Sequence, residues 1–118
     1  GPGFWRYLSG DEATDPAIYP AGPLRPGGRL LDLFHRYPNL WADLSANSAL
    51  NALRRDQAFG RDFLITHADR LLYGRDNKGN DLQPFLASLD LPADVWAKIA
   101  YQNALRLVPL AGIAETNP

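Results

Sequence analysis

The stretch Arg70-Leu71-Leu72-Tyr73-Gly74-Arg75-Asp76 decides the fold, because it is an apolar run that ends in a glycine and a carboxylate. We predict a strand over residues 70–76. Side chains alternate along a strand, so Leu72, Gly74 and Asp76 share one face and Asp76 stands at the carboxyl end. Functional groups of open α/β sheets and closed α/β barrels lie at that end. Asp76 is therefore the first candidate for a functional residue.

A second strand is predicted over residues 39–46, where apolar and polar positions alternate. Two helices are predicted between the strands, one capped by Ser48 and one beginning at Asp56. The order strand, helices, strand predicts a βαβ unit, with parallel strands and a right-handed crossover. The chain is thus expected to have an α/β fold.

Residues 1–28 are rich in proline and glycine and are predicted to form a long loop. Phe4, Trp5 and Tyr7 make this segment too apolar for a solvated tail. Two interpretations stay open. The segment is either a lid over a pocket or an N-terminal arm, packed on the domain or loose.

Further helices are predicted where apolar residues recur at helical spacing. One begins at Arg29, another covers residues 82–89, and the last is capped by Asp90. Asn103 interrupts the apolar stripe of the last helix. A buried amide needs partners, so we expect Asn103 to bind the backbone of a neighbouring loop. Residues 111–118 are expected to form a frayed tail.

Composition excludes several classes of function. The 118 residues form one domain at most, and the net charge of −1 is spread along the chain. Nucleic acid and anionic membranes are therefore not expected as partners. No apolar run approaches the roughly 20 residues of a membrane span. The chain has no cysteine, which fits a reducing compartment, and we expect it to be cytoplasmic.

The remaining candidate residues have structural explanations. We expect His35 at the surface, His67 as a contact with the C-terminal end of a helix, and Asp43 as a buried structural anchor. Ser45 lacks a histidine close in sequence, which makes a nucleophile unlikely to be found there. Asp76 and Asp81 lack the glutamate and glycine of an EF-hand loop.

The common catalytic and phosphate-binding motifs GxxxxGK[ST], GxGxxG, HExxH and GxSxG are all absent. The basic residues Arg54, Arg55 and Arg61 are predicted to lie on a solvated helix face. No nucleic-acid or nucleotide site is therefore expected.

Several segments resemble a known family: YPNLWADLSANSALNALRRDQAFGRDFLITHADRLLYGRD at 37–76, then SLDLP and QNALRL, and before them PGFWRYLSGD and PGGRLLDLF. Together they resemble the C-terminal portion of amidohydrolase-related proteins. Those proteins are metal-dependent hydrolases, with some decarboxylases, built on a (β/α)8 barrel. The resemblance covers nearly the whole chain.

The resemblance implies that residues 39–45 are the seventh strand and residues 70–76 the eighth. The expected fold is then a partial (β/α)8 TIM barrel, comprising its last two β/α units and a long N-terminal loop. Residues 1–118 would be the C-terminal portion of one barrel domain, divided into a loop or lid at 1–28, β/α units at 29–110 and a tail at 111–118.

In that family an aspartate ends the last strand, and Asp76 matches it. The resemblance implies that Asp76 binds a divalent metal, zinc foremost, or takes a proton from metal-bound water, whose pKa the metal lowers toward about 7. Asn103 matches an asparagine of the final helix, to which we assign a structural role. Arg75 departs from the family, which has serine or threonine there.

The family's metal site also needs a His-x-His pair and two further histidines, and none of these is in the chain. One aspartate cannot hold a catalytic zinc, which takes three protein ligands. We therefore expect no metal to bind tightly to this chain alone, and no hydrolase activity from it. Gly1 is compatible with a processed native start, a cloning scar or a truncation point.

The leading hypothesis is a fragment of a metal-dependent hydrolase or decarboxylase that acts on a small organic substrate and is completed by the remainder of the barrel. The alternative is a stand-alone, non-catalytic α/β domain that pairs with a second copy or a partner to cover its open sheet edges. A third possibility is a small-ligand binder with Phe4, Trp5 and Tyr7 as its lid.

Overall fold

The computed structural model describes residues 1–11, 15–76 and 79–110. Its α-helices are α1 Pro2–Trp5, α2 Arg29–Arg36, α3 Asn47–Arg54, α4 Gln57–Thr66, α5 Leu82–Ser88, α6 Ala93–Ala97 and α7 Asn103–Leu107. The strands are β1 Ala42–Asp43 and β2 Leu71–Leu72. Short 3₁₀ turns cover Arg6–Leu8 and Ala68–Arg70, and a π-helical turn, Lys98–Gln102, joins α6 to α7.

The described fold is mostly helical with one small parallel sheet, so the prediction of a partial (β/α)8 barrel is wrong. The strands expected over 39–46 and 70–76 contract to two residues each. The parallel pairing of the predicted βαβ unit is confirmed, with Ala42 opposite Leu71. The helices α3 and α4 lie between β1 and β2 in sequence, as expected.

The sheet is narrow because groups outside it bind both of its edges. In this register the backbone of Asp43 points away from β2, and Asp43 O accepts a hydrogen bond from Trp5 Nε1 at 3.2 Å. At the other edge, Asn103 Nδ2 donates to Leu71 O at 2.9 Å, and the Tyr73 N–H donates to Ile99 O at 3.0 Å. These atoms are therefore not available to a third strand.

The first turns of the chain belong to the core. Trp5 is 1% exposed, and its ring packs edge-on against Phe63 at a centroid distance of 6.1 Å. Phe4 and Tyr7 are half-buried against the same cluster. The packed-arm interpretation of this segment is thus correct for residues 2–8, and these three aromatic rings do not form a lid.

Arg55 fastens the rest of the N-terminal arm to α3. Its Nη2 lies 2.7 Å from Asp11 Oδ2, with both side chains largely buried, and its Nε donates to Gly22 O at 2.8 Å. The hydrogen bond from Arg55 holds the pKa of Asp11 below its ordinary value. The prediction of a solvated basic face is correct for Arg54, which is exposed, but wrong for Arg55 and for Arg61, whose Nε donates to the backbone.

The helix boundaries confirm some predicted caps and contradict others. Asp56 caps α4, because its carboxylate accepts a backbone N–H at 3.0 Å. Ser48 is not a cap: α3 begins after Ala46, and Ser48 is buried inside the helix. Asp90 does not cap α6 either, because Pro92 precedes that helix and Asp90 occupies a turn with φ of +50°.

The helical segment 93–107 is anchored to β2 as the sequence predicted. Asn103 is 2% exposed, and its Nδ2 also donates to Ala68 O at 2.6 Å. None of the described helices is both long and apolar enough to cross a membrane. The predicted tail, 111–118, and two residues of the turn after Asp76, Asn77 and Lys78, lie outside the described residues.

Candidate functional site

Asp76 lies beyond the paired part of β2. The strand ends at Leu72, and the chain continues in an extended course to an exposed Asp76. Within the described ranges, the carboxylate of Asp76 has no hydrogen-bond or ion-pair partner. It is therefore an accessible oxygen donor at the carboxyl end of the strand, and it serves no described structural contact.

The carboxyl ends of the two strands meet at Gly74. A Cβ on Gly74 would lie 3.2 Å from the Ser45 Cβ and 3.8 Å from Asp43 Oδ1, which is a tight fit. Asp43 is exposed, so its predicted burial is wrong, but it is hydrogen-bonded, because Oδ1 accepts the Ser45 N–H at 2.8 Å. This Asx turn ends β1. The structure thus brings Asp43, Ser45 and Gly74 together.

The two histidines lie elsewhere. His35 is exposed on α2, as predicted. His67 follows α4 and precedes β2, at the opposite end of the strand from Asp76. It is the C-cap residue of α4, but its ring packs between Phe34 and Phe63, at centroid distances of 4.9 and 4.8 Å.

This packing contradicts a charged His67 at the helix end. Burial of the ring lowers the pKa of His67 below its ordinary value of 6.5, and the positive charge of Arg70 lowers it further. The Arg70 Nη2 lies 3.4 Å from His67 Nδ1, an arrangement that suits a neutral ring whose Nδ1 accepts the hydrogen bond.

The predicted metal ligands do not form a metal site within the described residues. In residues 1–11, 15–76 and 79–110, no three histidine, cysteine, aspartate or glutamate side chains are grouped to hold a metal. Asp76 offers one carboxylate, whereas a catalytic zinc takes three protein ligands and an open position. The donor set of the described residues therefore does not fit a catalytic metal centre.

A separate polar cavity of about 420 Å³ lies along the outer face of α3, lined by Tyr19, Asn47, Leu50, Asn51, Arg54 and Asp81. Asp76 is not among its lining residues. Sequence reasoning missed this cavity, although Asn47, Asn51 and Arg54 recur at helical spacing and so share one face. Tyr19 gave no signal, because it lies in a proline-rich segment without periodicity.

Comparisons with protein-family models, with curated proteins and with solved structures find no match to this chain. The resemblance to amidohydrolase-related proteins therefore stays a prediction, and we assign the chain to no family.

Proposed function

We propose that this chain is part of a metal-dependent hydrolase or decarboxylase, related to the amidohydrolases, and that Asp76 is its contribution to the active site. The observation that supports this proposal is the accessible carboxylate of Asp76 at the carboxyl end of β2, with no partner among the described residues. A carboxylate that makes no structural contact is free to bind a cation or accept a proton.

The proposal assigns the other parts of the site to residues beyond those described. The substrate is a small organic molecule, the cofactor is a divalent metal, zinc foremost, and the location is cytoplasmic. Asp76 acts as one metal ligand or as the base. The order of the sequence segments that resemble the family supports these assignments.

The test uses the protein made from the complete coding sequence that contains these residues. Asp76→Asn should lower kcat/KM by about 10²- to 10⁴-fold, the usual contribution of a general base. The melting temperature should not change, because Asp76 is exposed and unpaired. Asp62→Asn, at an exposed position on α4, is the matched control and should keep full activity.

Two results would contradict the proposal. Full activity of Asp76→Asn would remove Asp76 from the mechanism. Turnover of an ester or amide substrate by the 118-residue chain with added zinc would show that no further residues are needed.

A second candidate function is self-association as a non-catalytic domain. Exposed apolar side chains favour it, in a groove of about 300 Å³ lined by Leu72, Ala104, Leu105, Leu107, Val108 and Leu110. The edges of the sheet favour it less, since Trp5 and Asn103 bind them. Sedimentation equilibrium should then show a dimer that Leu107→Lys dissociates and Ile18→Lys, at another exposed apolar position, does not. A monomer would contradict this candidate.

A further inference from the structure

We propose that the cavity along α3 binds a small zwitterion, a molecule with a carboxylate at one end and an ammonium group at the other. The proposal does not rest on the hydrolase function, because Asp76 does not line this cavity. At about 420 Å³ the cavity falls in the range of small-molecule sites, roughly 300–1,000 Å³.

Opposite charges line the cavity without neutralising each other. Arg54 ends α3 and Asp81 precedes α5, and both side chains are exposed. Neither has a hydrogen bond or ion pair from its side chain to any described residue, so the two are not paired with each other. A ligand that satisfies both needs an anionic group for Arg54 and a cationic group for Asp81.

Two amides on the same helix face add neutral hydrogen-bonding groups. Asn51 Nδ2 donates to Pro20 O at 3.0 Å, which fixes this side chain against the N-terminal arm. Its Oδ1 then remains as an acceptor. Asn47, one helical turn earlier, has no side-chain hydrogen bond within the described ranges. These amides suit the polar groups of a short zwitterion.

The apolar part of the cavity is small and comes from two side chains. Leu50 is 5% exposed and forms part of the cavity wall. Tyr19, in the N-terminal arm, is 50% exposed and presents its ring to the same space. This lining fits a ligand with a short aliphatic spacer between its charged ends, such as an ω-amino acid.

The experiment is an NMR titration of the ¹⁵N-labelled chain at constant ionic strength. The probes are 6-aminohexanoate and glycine as zwitterions, and acetate and ethylammonium as single charges. One of the zwitterions should shift the backbone amides of Asn47, Asn51 and Arg54 with a Kd on the order of 1–10 mM. Each single charge should bind at least about tenfold more weakly.

Substitutions separate this site from nonspecific charge effects. Arg54→Gln and Asp81→Asn should each weaken binding of the zwitterion by about tenfold, whereas Arg54→Lys should retain it. Arg36→Gln, at an exposed position on α2, is the matched control and should bind as the unmodified chain does. The absence of shifts at about 100 mM zwitterion, or equal affinity for acetate, would overturn the proposal.

Discussion

Asn103 and Leu71 are joined by a hydrogen bond of 2.9 Å from the side-chain Nδ2 to the backbone oxygen. The same nitrogen donates to Ala68 O at 2.6 Å. One buried amide therefore fastens α7 to β2 and to the 3₁₀ turn that precedes it. Loss of this amide would leave two carbonyl groups without these partners.

Asn103→Leu should lower the free energy of unfolding by about 2–4 kcal/mol, because buried acceptors that lose their donors cost roughly 1–3 kcal/mol each. Urea unfolding followed by circular dichroism measures this change. Gln102→Leu, at the exposed neighbouring position, is the control and should stay within about 0.5 kcal/mol of the unmodified chain. An equally small effect of Asn103→Leu would contradict the anchoring role.

Trp5→Phe should destabilise the fold by about 1–3 kcal/mol. The smaller ring leaves a void in the core and removes the N–H that binds Asp43 O. Chemical unfolding again supplies the measurement. Trp96→Phe, at a half-buried position, is the comparison and should cost less. If the two substitutions cost the same, Trp5 would not be a specific cap of the sheet edge.

The stability of the fold should fall as the solution is acidified, because His67 binds a proton less readily in the folded state. Its pKa is lowered from 6.5 by folding, so the unfolded chain takes up more protons below that pH. The stabilisation is complete above pH 6.5 and is lost as the pH falls toward the folded-state pKa.

Urea midpoints measured from pH 7.5 to 5.0 test this dependence. His67→Gln should flatten the decline, whereas His35→Gln should preserve it, because His35 is exposed on α2. An unchanged pH profile for His67→Gln would assign the decline to other groups.

Arg55→Met should cost about 2–3 kcal/mol, somewhat below the 3–5 kcal/mol of a fully buried pair. The substitution leaves Asp11 without its cation and releases the backbone oxygens of Gly22 and Pro23. Limited proteolysis should then cut residues 15–28 faster. Arg54→Gln is the neighbouring control, and a similar cutting rate for both variants would argue against a fastening role for Arg55.

Much of the local structure was predictable because short-range chemistry determines it. The parallel pairing of β1 and β2 follows from a strand on each side of two helices, and the structure confirms it. The cap at Asp56 and the anchor at Asn103 follow equally well from the needs of polar groups near helices. Each of these features depends on a residue type and its immediate surroundings.

The extent of the sheet was not predictable in the same way. Alternation over 39–46 and 70–76 is compatible with long strands, but Trp5 and Asn103 bind the edges of the sheet from distant parts of the chain. The resemblance to a barrel family also implied more strands than the described residues form. Similarly, nothing local to Arg55 indicates that Asp11 pairs with it.

The candidate site was predictable only in part. Asp76 was identified from its position at the end of a strand, and the structure shows an exposed carboxylate there. The cavity along α3 was missed because its walls come from three separate segments, which contribute Tyr19, Arg54 and Asp81. Such an assembly of distant residues has no periodicity in sequence.

The π-helical turn Lys98–Gln102 gives the last helix a fixed phase. In this turn the Asn103 N–H binds Lys98 O, five residues earlier, and Ile99 O accepts the Tyr73 N–H. Deleting one residue from the turn would restore regular α-helix and rotate everything after it by about 100°. Asn103 would then face away from β2. The segment should therefore tolerate many substitutions but no change in length.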